Sequence, residues 1–155
     1  MTDDIWVLGA TGRSGRGIAR RLRGTGHPIV LAGRDPARLA SIAAEVGGAG
    51  VVSGSFESLL AQLRRAAPAV VVNTIGPFAR TSGPAIQACP PGTQYVDIGN
   101  ELPGVRAVLD GHERAVADGS TVLTGAGFGV VATESVVLRA LFGASLATDV
   151  GAEFV

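Results

Sequence analysis

The chain has 155 residues, one domain's length, and can bury roughly two-thirds of its unfolded surface without disulfides or metals. With 46% apolar and 17% charged residues it is not intrinsically disordered, and 13 basic residues balanced by 13 acidic ones leave nucleic acid or an anionic membrane as poor partners. All the basic residues are Arg, so a Schiff-base lysine or a Tyr-x-x-x-Lys pair is excluded.

Short apolar runs alternate with helical patterns along the chain. Residues 5–8 form the first run, ended by Gly9. Residues 12–23 then place Ile18, Ala19 and Leu22 at helical spacing, with Arg on the other face. Residues 28–32 form a second run. Asp35-Pro36 starts a helix: Asp can cap, and Pro is preorganised for the first helical position. Leu39, Ile42, Ala43 and Val46 make its apolar stripe, ended by Gly47-Gly48. A short third strand at 50–52 leads to a helix at 56–66, with Phe56, Leu59, Leu60 and Leu63 inward.

Residues 69–75 are the strongest strand signal, a β-branched run that reads as buried on both faces. Gly76-Pro77 ends it. Residues 84–89 suit a short helix, broken by Pro90-Pro91-Gly92. A fifth strand at 94–98, a helix at 105–117, a sixth strand at 121–124 and a last helix at 134–142 follow. Residues 149–155 read as the start of another strand, left without a partner by a complete sheet. Such a segment is expected to belong to a larger protein or to pair with a second copy in a homodimer.

Strands that alternate with helices are parallel with right-handed crossovers. The expected fold is α/β: a doubly wound, mostly parallel six-stranded Rossmann sheet of order 3-2-1-4-5-6, in three αβα layers. Residues 1–145 are expected to form this domain, and 146–155 to begin a connection to a substrate domain.

The first strand ends in Gly9-Ala10-Thr11-Gly12-Arg13-Ser14-Gly15, a G-x-x-G-x-x-G pattern between a strand and a helix. That is the context of a dinucleotide fingerprint. Gly9 lets the chain turn, Gly12 clears the approach to a pyrophosphate, and Gly15 lets the helix pack on the strand. Exposed N–H groups and the positive helix end then bind the anion. A glycine-rich turn with no ligand is the plainer alternative. The second strand ends in Gly33-Arg34 where an NAD-selective site carries an acid. Gly33 leaves room and Arg34 offers a planar cationic fork for a 2′-phosphate, so NADP is favoured over NAD. Arg13 can stack on adenine or add a second cation. Asp35 is assigned to capping.

After the fourth strand come Thr74, Ile75, Gly76, Pro77 and Phe78, at the carboxyl edge where ligands sit in such sheets. Gly76 allows close approach, Pro77 stiffens the turn, and Phe78 can pack on the nicotinamide or its ribose, or else in a core. Asp97 and Glu101 either bind a cationic substrate or relay a proton, or else serve the backbone: Asp97 accepting N–H bonds, Glu101 capping the following helix. Tyr95 reads as a core aromatic and His112 as part of a solvated face. His27 reads as structural, Cys89 as packed, and Gly125–Gly129 as a hinge and pocket wall. No residue is a convincing catalytic acid. With no CxxC or HExxH spacing, no metal is expected.

Several segments together resemble the NADP-binding domain of the saccharopine dehydrogenase-like oxidoreductases. These are GATGRSGRGIARRL, LAGRDPARL, VVNTIGPFARTSGPAIQAC, YVDIGNE, HERA and GAGFGVVAT. The resemblance implies a reductase that positions NADPH for hydride transfer to a small-molecule substrate held by a second domain or subunit. A non-catalytic NADP sensor is the alternative. A single cysteine and an acidic N-terminus, unlike a secretory signal, point to the cytoplasm.

Overall fold

A computed structural model describes residues 2–127 and 135–136. The expectations for residues 128–134 and 137–155 lie outside the described residues. They include most of the last helix, the end of the final glycine loop and the tail strand.

Six strands form one sheet: β1 (Ile5–Leu8), β2 (Ile29–Gly33), β3 (Ala49–Val52), β4 (Val70–Asn73), β5 (Gln94–Asp97) and β6 (Val122–Leu123). Their order is β3-β2-β1-β4-β5-β6, and every pairing is parallel. The helices are α1 (Arg13–Leu22), α2 (Pro36–Val46), α3 (Phe56–Ala66), α4 (Phe78–Ala88), α5 (Leu102–Asp110) and α6 (His112–Ala117). Among the described residues no helix is long and apolar enough to cross a membrane.

The two-residue period of β1 divides the core. Ile5 and Val7 pack with Ala19, Leu39 and Ile42 from α1 and α2. Trp6 and Leu8 pack with Leu59, Leu63 and Ala85 from α3 and α4 on the other face. Both faces of β1 are thus covered, as a parallel sheet requires.

Three expectations are corrected. The fourth strand stops at Asn73, short of Ile75. The Thr74 N–H and hydroxyl both still donate to the Leu8 carbonyl, at 3.0 and 2.7 Å, but the Ile75 N–H turns to the Asn73 Oδ1 at 3.0 Å, so a side chain takes over from the ladder after Thr74. The helix expected at 84–89 spans Phe78–Ala88 with Pro84 inside it. The residue before Pro84 is Gly83, whose missing Cβ removes the clash that usually ends a helix at that point. The helix expected at 105–117 is two, because Gly111 leaves helical geometry at φ −85, ψ 4.

Register brings the strand ends together. Leu8 lies level with Ala32 and Asn73, Asn73 with Asp97, and Gly33 with Val52. The turns beginning at Gly9, Arg34, Ser53, Thr74 and Ile98 therefore leave the sheet on one edge.

Candidate dinucleotide site

The glycine turn is built by close approach. Gly9 has φ +77, a conformation that favours glycine. A Cβ on Gly15 would lie 2.4 Å from the Gly9 carbonyl oxygen and 2.8 Å from the Ala10 Cα, so only hydrogen fits. A Cβ on Gly12 would meet the same oxygen at 3.2 Å, a much milder contact. The N–H groups of Gly9 and Ala10 both donate to the Ala32 carbonyl, and that of Gly12 donates to Gly9. The anion cradle thereby narrows to Thr11 and the first turn of α1. That turn has no side-chain cap and no acidic residue, so nothing of its own competes for an anion.

Gly33 is buried, and a Cβ there would touch the Thr11 side chain at 3.3 Å and Leu39 at 3.4 Å. The space beside Gly33 is thus filled by Thr11. Arg34 is exposed and has no ion pair among the described residues. Asp35 caps α2, accepting the Arg38 N–H at 3.0 Å, as Pro36 suggested. The other arginines near the turn are differently placed: Arg16 and Arg20 both pair with Glu45.

A cavity of about 410 Å³ joins these parts. Gly9, Thr11, Gly12, Gly33, Arg34, Thr74, Ile75 and Gly76 all line it. Ala10 and Gly15 are buried, while Arg13 and Ser14 stand exposed at the start of α1. Pro77 and Phe78 are not part of the wall. Phe78 packs against Gly99, where a Cβ would lie 2.8 Å from the Phe78 ring. The sequence reading missed the opposite wall: Ser53, Gly54, Ser55, Phe56 and Leu59. Its one available signal was position, since a residue after the third strand leaves the sheet on the same edge.

Asp97 and Glu101 are committed to the framework. Asp97 is fully buried. Its Oδ1 accepts from the Gly99 N–H at 3.0 Å and the Thr124 hydroxyl at 2.6 Å, its Oδ2 from the Ser82 hydroxyl at 2.6 Å and the Tyr95 hydroxyl at 2.8 Å. Asn73 donates to the same Tyr95 oxygen at 3.0 Å. This network ties the ends of β4, β5 and β6 to α4. Burial is the largest cause that pushes the Tyr95 phenol up, so it stays neutral. Glu101 makes no side-chain cap on α5. It accepts instead from Phe78 and Ala79, at the start of α4.

A second cavity, about 270 Å³, lies between α4 and α5–α6 and includes Cys89 and Tyr95 in its wall. Of its polar side chains, Arg114 pairs with Asp118 and the Ser120 hydroxyl accepts the Gly92 N–H, while Gln87 and Asp110 are exposed to solvent. Among the described residues no cluster of His, Cys, Asp and Glu suits a metal.

Comparison with known proteins identifies the family. Residues 5–123 match the family described as the saccharopine dehydrogenase NADP binding domain, and the chain belongs to that family. It is 32% identical over 134 residues to a trans-acting enoyl reductase of Mycobacterium tuberculosis, covering 81% of this chain and 32% of the relative. The corresponding Mycobacterium leprae protein is 32% identical over 141 residues, covering 84% and 34%. The chain thus spans about a third of the length of the curated relatives it matches. Its fold is similar to that of apo saccharopine dehydrogenase (L-Glu forming) from Saccharomyces cerevisiae, with a TM-score of 0.70 at 16% identity over 89% of this chain and 30% of that one. The cofactor of the family is NADP, and the uncapped helix end, with Arg34 unpaired among the described residues on the same cavity wall, fits its phosphates.

Proposed function

We propose that this member of the saccharopine dehydrogenase NADP-binding family holds NADPH for hydride transfer to a carbon–carbon double bond conjugated to a carbonyl. The observation that carries the cofactor half is the joining of the glycine turn and Arg34 in one cavity. The substrate class rests on relatives that are named trans-acting enoyl reductases.

In this reading Thr11 and the first turn of α1 hold the pyrophosphate, and Arg34 holds the 2′-phosphate. Thr74, Ile75 and Gly76 form the wall toward the nicotinamide. Pro77 and Phe78 back that wall through Glu101 and Gly99. NADPH supplies the hydride, while the chain supplies binding and orientation. The buried Asp97 network fixes the turns after β4, β5 and β6, which keeps the nicotinamide side in one geometry. Asp97 and Glu101 are both engaged by the framework, so neither supplies the substrate's proton. Residues 146–155 lead into the part that presents the substrate.

The engagement of both carboxylates also favours a second reading, an NADP sensor without turnover. Loss of reduced-nicotinamide absorbance with an α,β-unsaturated thioester separates the two. Consumption of NADPH by the longer protein, with saturation of the thioester, supports the reductase. Tight NADPH binding with no turnover of any enoyl thioester contradicts it.

A further inference from the structure

Among the described residues, two buried side-chain polar atoms lack a hydrogen-bond partner: Trp6 Nε1 and Ser53 Oγ. Trp6 lies in the core beneath α3 and α4. Ser53 is different, because it is part of the wall of the dinucleotide cavity. It is only 3% exposed, and its own N–H donates to the Gly33 carbonyl at 2.9 Å, which pins it beside Arg34. A shielded, idle hydroxyl is less favourable than a methyl group in the same place. Its presence at the wall of a ligand cavity points to a partner supplied from outside the chain.

The surroundings decide which part of the dinucleotide that is. Phe56, Leu59 and Ile75 give the cavity apolar surface near Ser53, while the one cation of the wall, Arg34, is exposed at the rim. A phosphate dianion belongs with the exposed arginine, where water still screens and solvates it. A neutral hydroxyl among apolar side chains suits a flat heteroaromatic ring with polar atoms on its edge. Ser53 is the most buried polar residue of the wall, and the ring edge opposite the ribose is the part of adenine that carries hydrogen-bonding groups away from the rim. We propose that the Ser53 hydroxyl exchanges a hydrogen bond with the N1/amino edge of adenine and sets specificity at the adenosine end. The proposal rests on the reading of this cavity as the NADPH site.

Ser53→Ala tests it by titration with NADPH, NADH, reduced nicotinamide mononucleotide and the 1,N6-etheno analogue of NADPH, alongside thermal unfolding of the unliganded chain. The expected variant unfolds at the same temperature or higher. It binds NADPH and NADH about tenfold more weakly, by the same factor for each. Mononucleotide binding is unchanged, because that probe lacks adenine. The etheno analogue, its N1/amino edge blocked, binds weakly to the native chain and no worse to the variant. Ser53→Cys is expected to repeat the pattern. A larger loss for NADPH than for NADH overturns the proposal in favour of the 2′-phosphate. Unchanged affinities overturn it outright, as does an unstable variant that loses the mononucleotide equally. A native chain that binds no dinucleotide removes the NADPH reading itself, and the proposal with it.

Discussion

The Glu101 carboxylate accepts the backbone N–H of Phe78 at 3.0 Å, and so caps the helix that precedes its own. Its second oxygen accepts the Ala79 N–H at 2.8 Å. A negative charge with two acceptor atoms sits on the positive end of α4, directly after the Thr74–Gly76 stretch of the cavity wall. Glu101→Ala removes both bonds and the charge, and is expected to lower stability by about 1–2 kcal/mol. Glu101→Gln keeps an acceptor and loses about half as much. Urea unfolding of the three proteins measures both. Equal stability throughout would mean that α4 is capped in some other way.

Two glycines of the same motif are expected to fail differently. A Cβ on Gly15 would run into backbone atoms, the Gly9 carbonyl oxygen and the Ala10 Cα, so Gly15→Ala must separate α1 from the turn. A loss of about 2 kcal/mol or more follows, from strain of the kind produced by overpacking. At Gly12 the nearest atom to a new Cβ is at 3.2 Å, and the backbone has an ordinary extended conformation. Gly12→Ala is expected to fold with little loss but to bind NADPH at least about tenfold more weakly, because the methyl group occupies the phosphate approach. Thermal unfolding and calorimetric titration separate the two effects. A destabilised Gly12 variant with native affinity would reverse the assignment.

Alkali is expected to unfold the domain through its buried neutral acids. The Cys89 Sγ–H donates to the Ala85 carbonyl at 3.2 Å, and burial pushes its thiol from 9.0 up to about 12. The Tyr95 phenol moves in the same direction. Between pH 9 and about 12 the unfolded chain has released the thiol proton that the folded chain retains. Stability is therefore whole below pH 9 and falls as pH rises through that window. Cys89→Ala removes the thiol's share of the slope, about 2 kcal/mol between about pH 8 and about pH 10.5. Tyr95 keeps the remaining slope from vanishing. Urea midpoints across that range check it, and an unchanged slope contradicts it.

The sheet and its order were legible because each strand is a short apolar run bounded by glycine, and each crossover has one apolar stripe. The glycine turn and Arg34 could be singled out for a related reason: each directly follows a strand, and the structure places both on one cavity wall. What escaped depends on contacts distant in sequence. Nothing near Glu101 says that it serves Phe78 rather than its own helix. Pro84 reads as a helix start unless Gly83 before it is weighed. Ser53 is an ordinary serine in the sequence and becomes notable only when burial leaves its hydroxyl without a partner. Asp97 was equally open to catalysis and to structure until its four donors were in place.

The most direct measurement compares NADPH and NADH affinity in the native chain and in Arg34→Ala. Arg34 is exposed, unpaired among the described residues and part of the cavity wall, so its loss should not disturb the fold. A charge-assisted bond to phosphate contributes about 1.5–3 kcal/mol, which corresponds to roughly 10- to 100-fold in affinity. NADPH binding is expected to weaken by that factor while NADH binding stays the same. Equal losses for both, or none for either, would contradict a site in which Arg34 reads the 2′-phosphate.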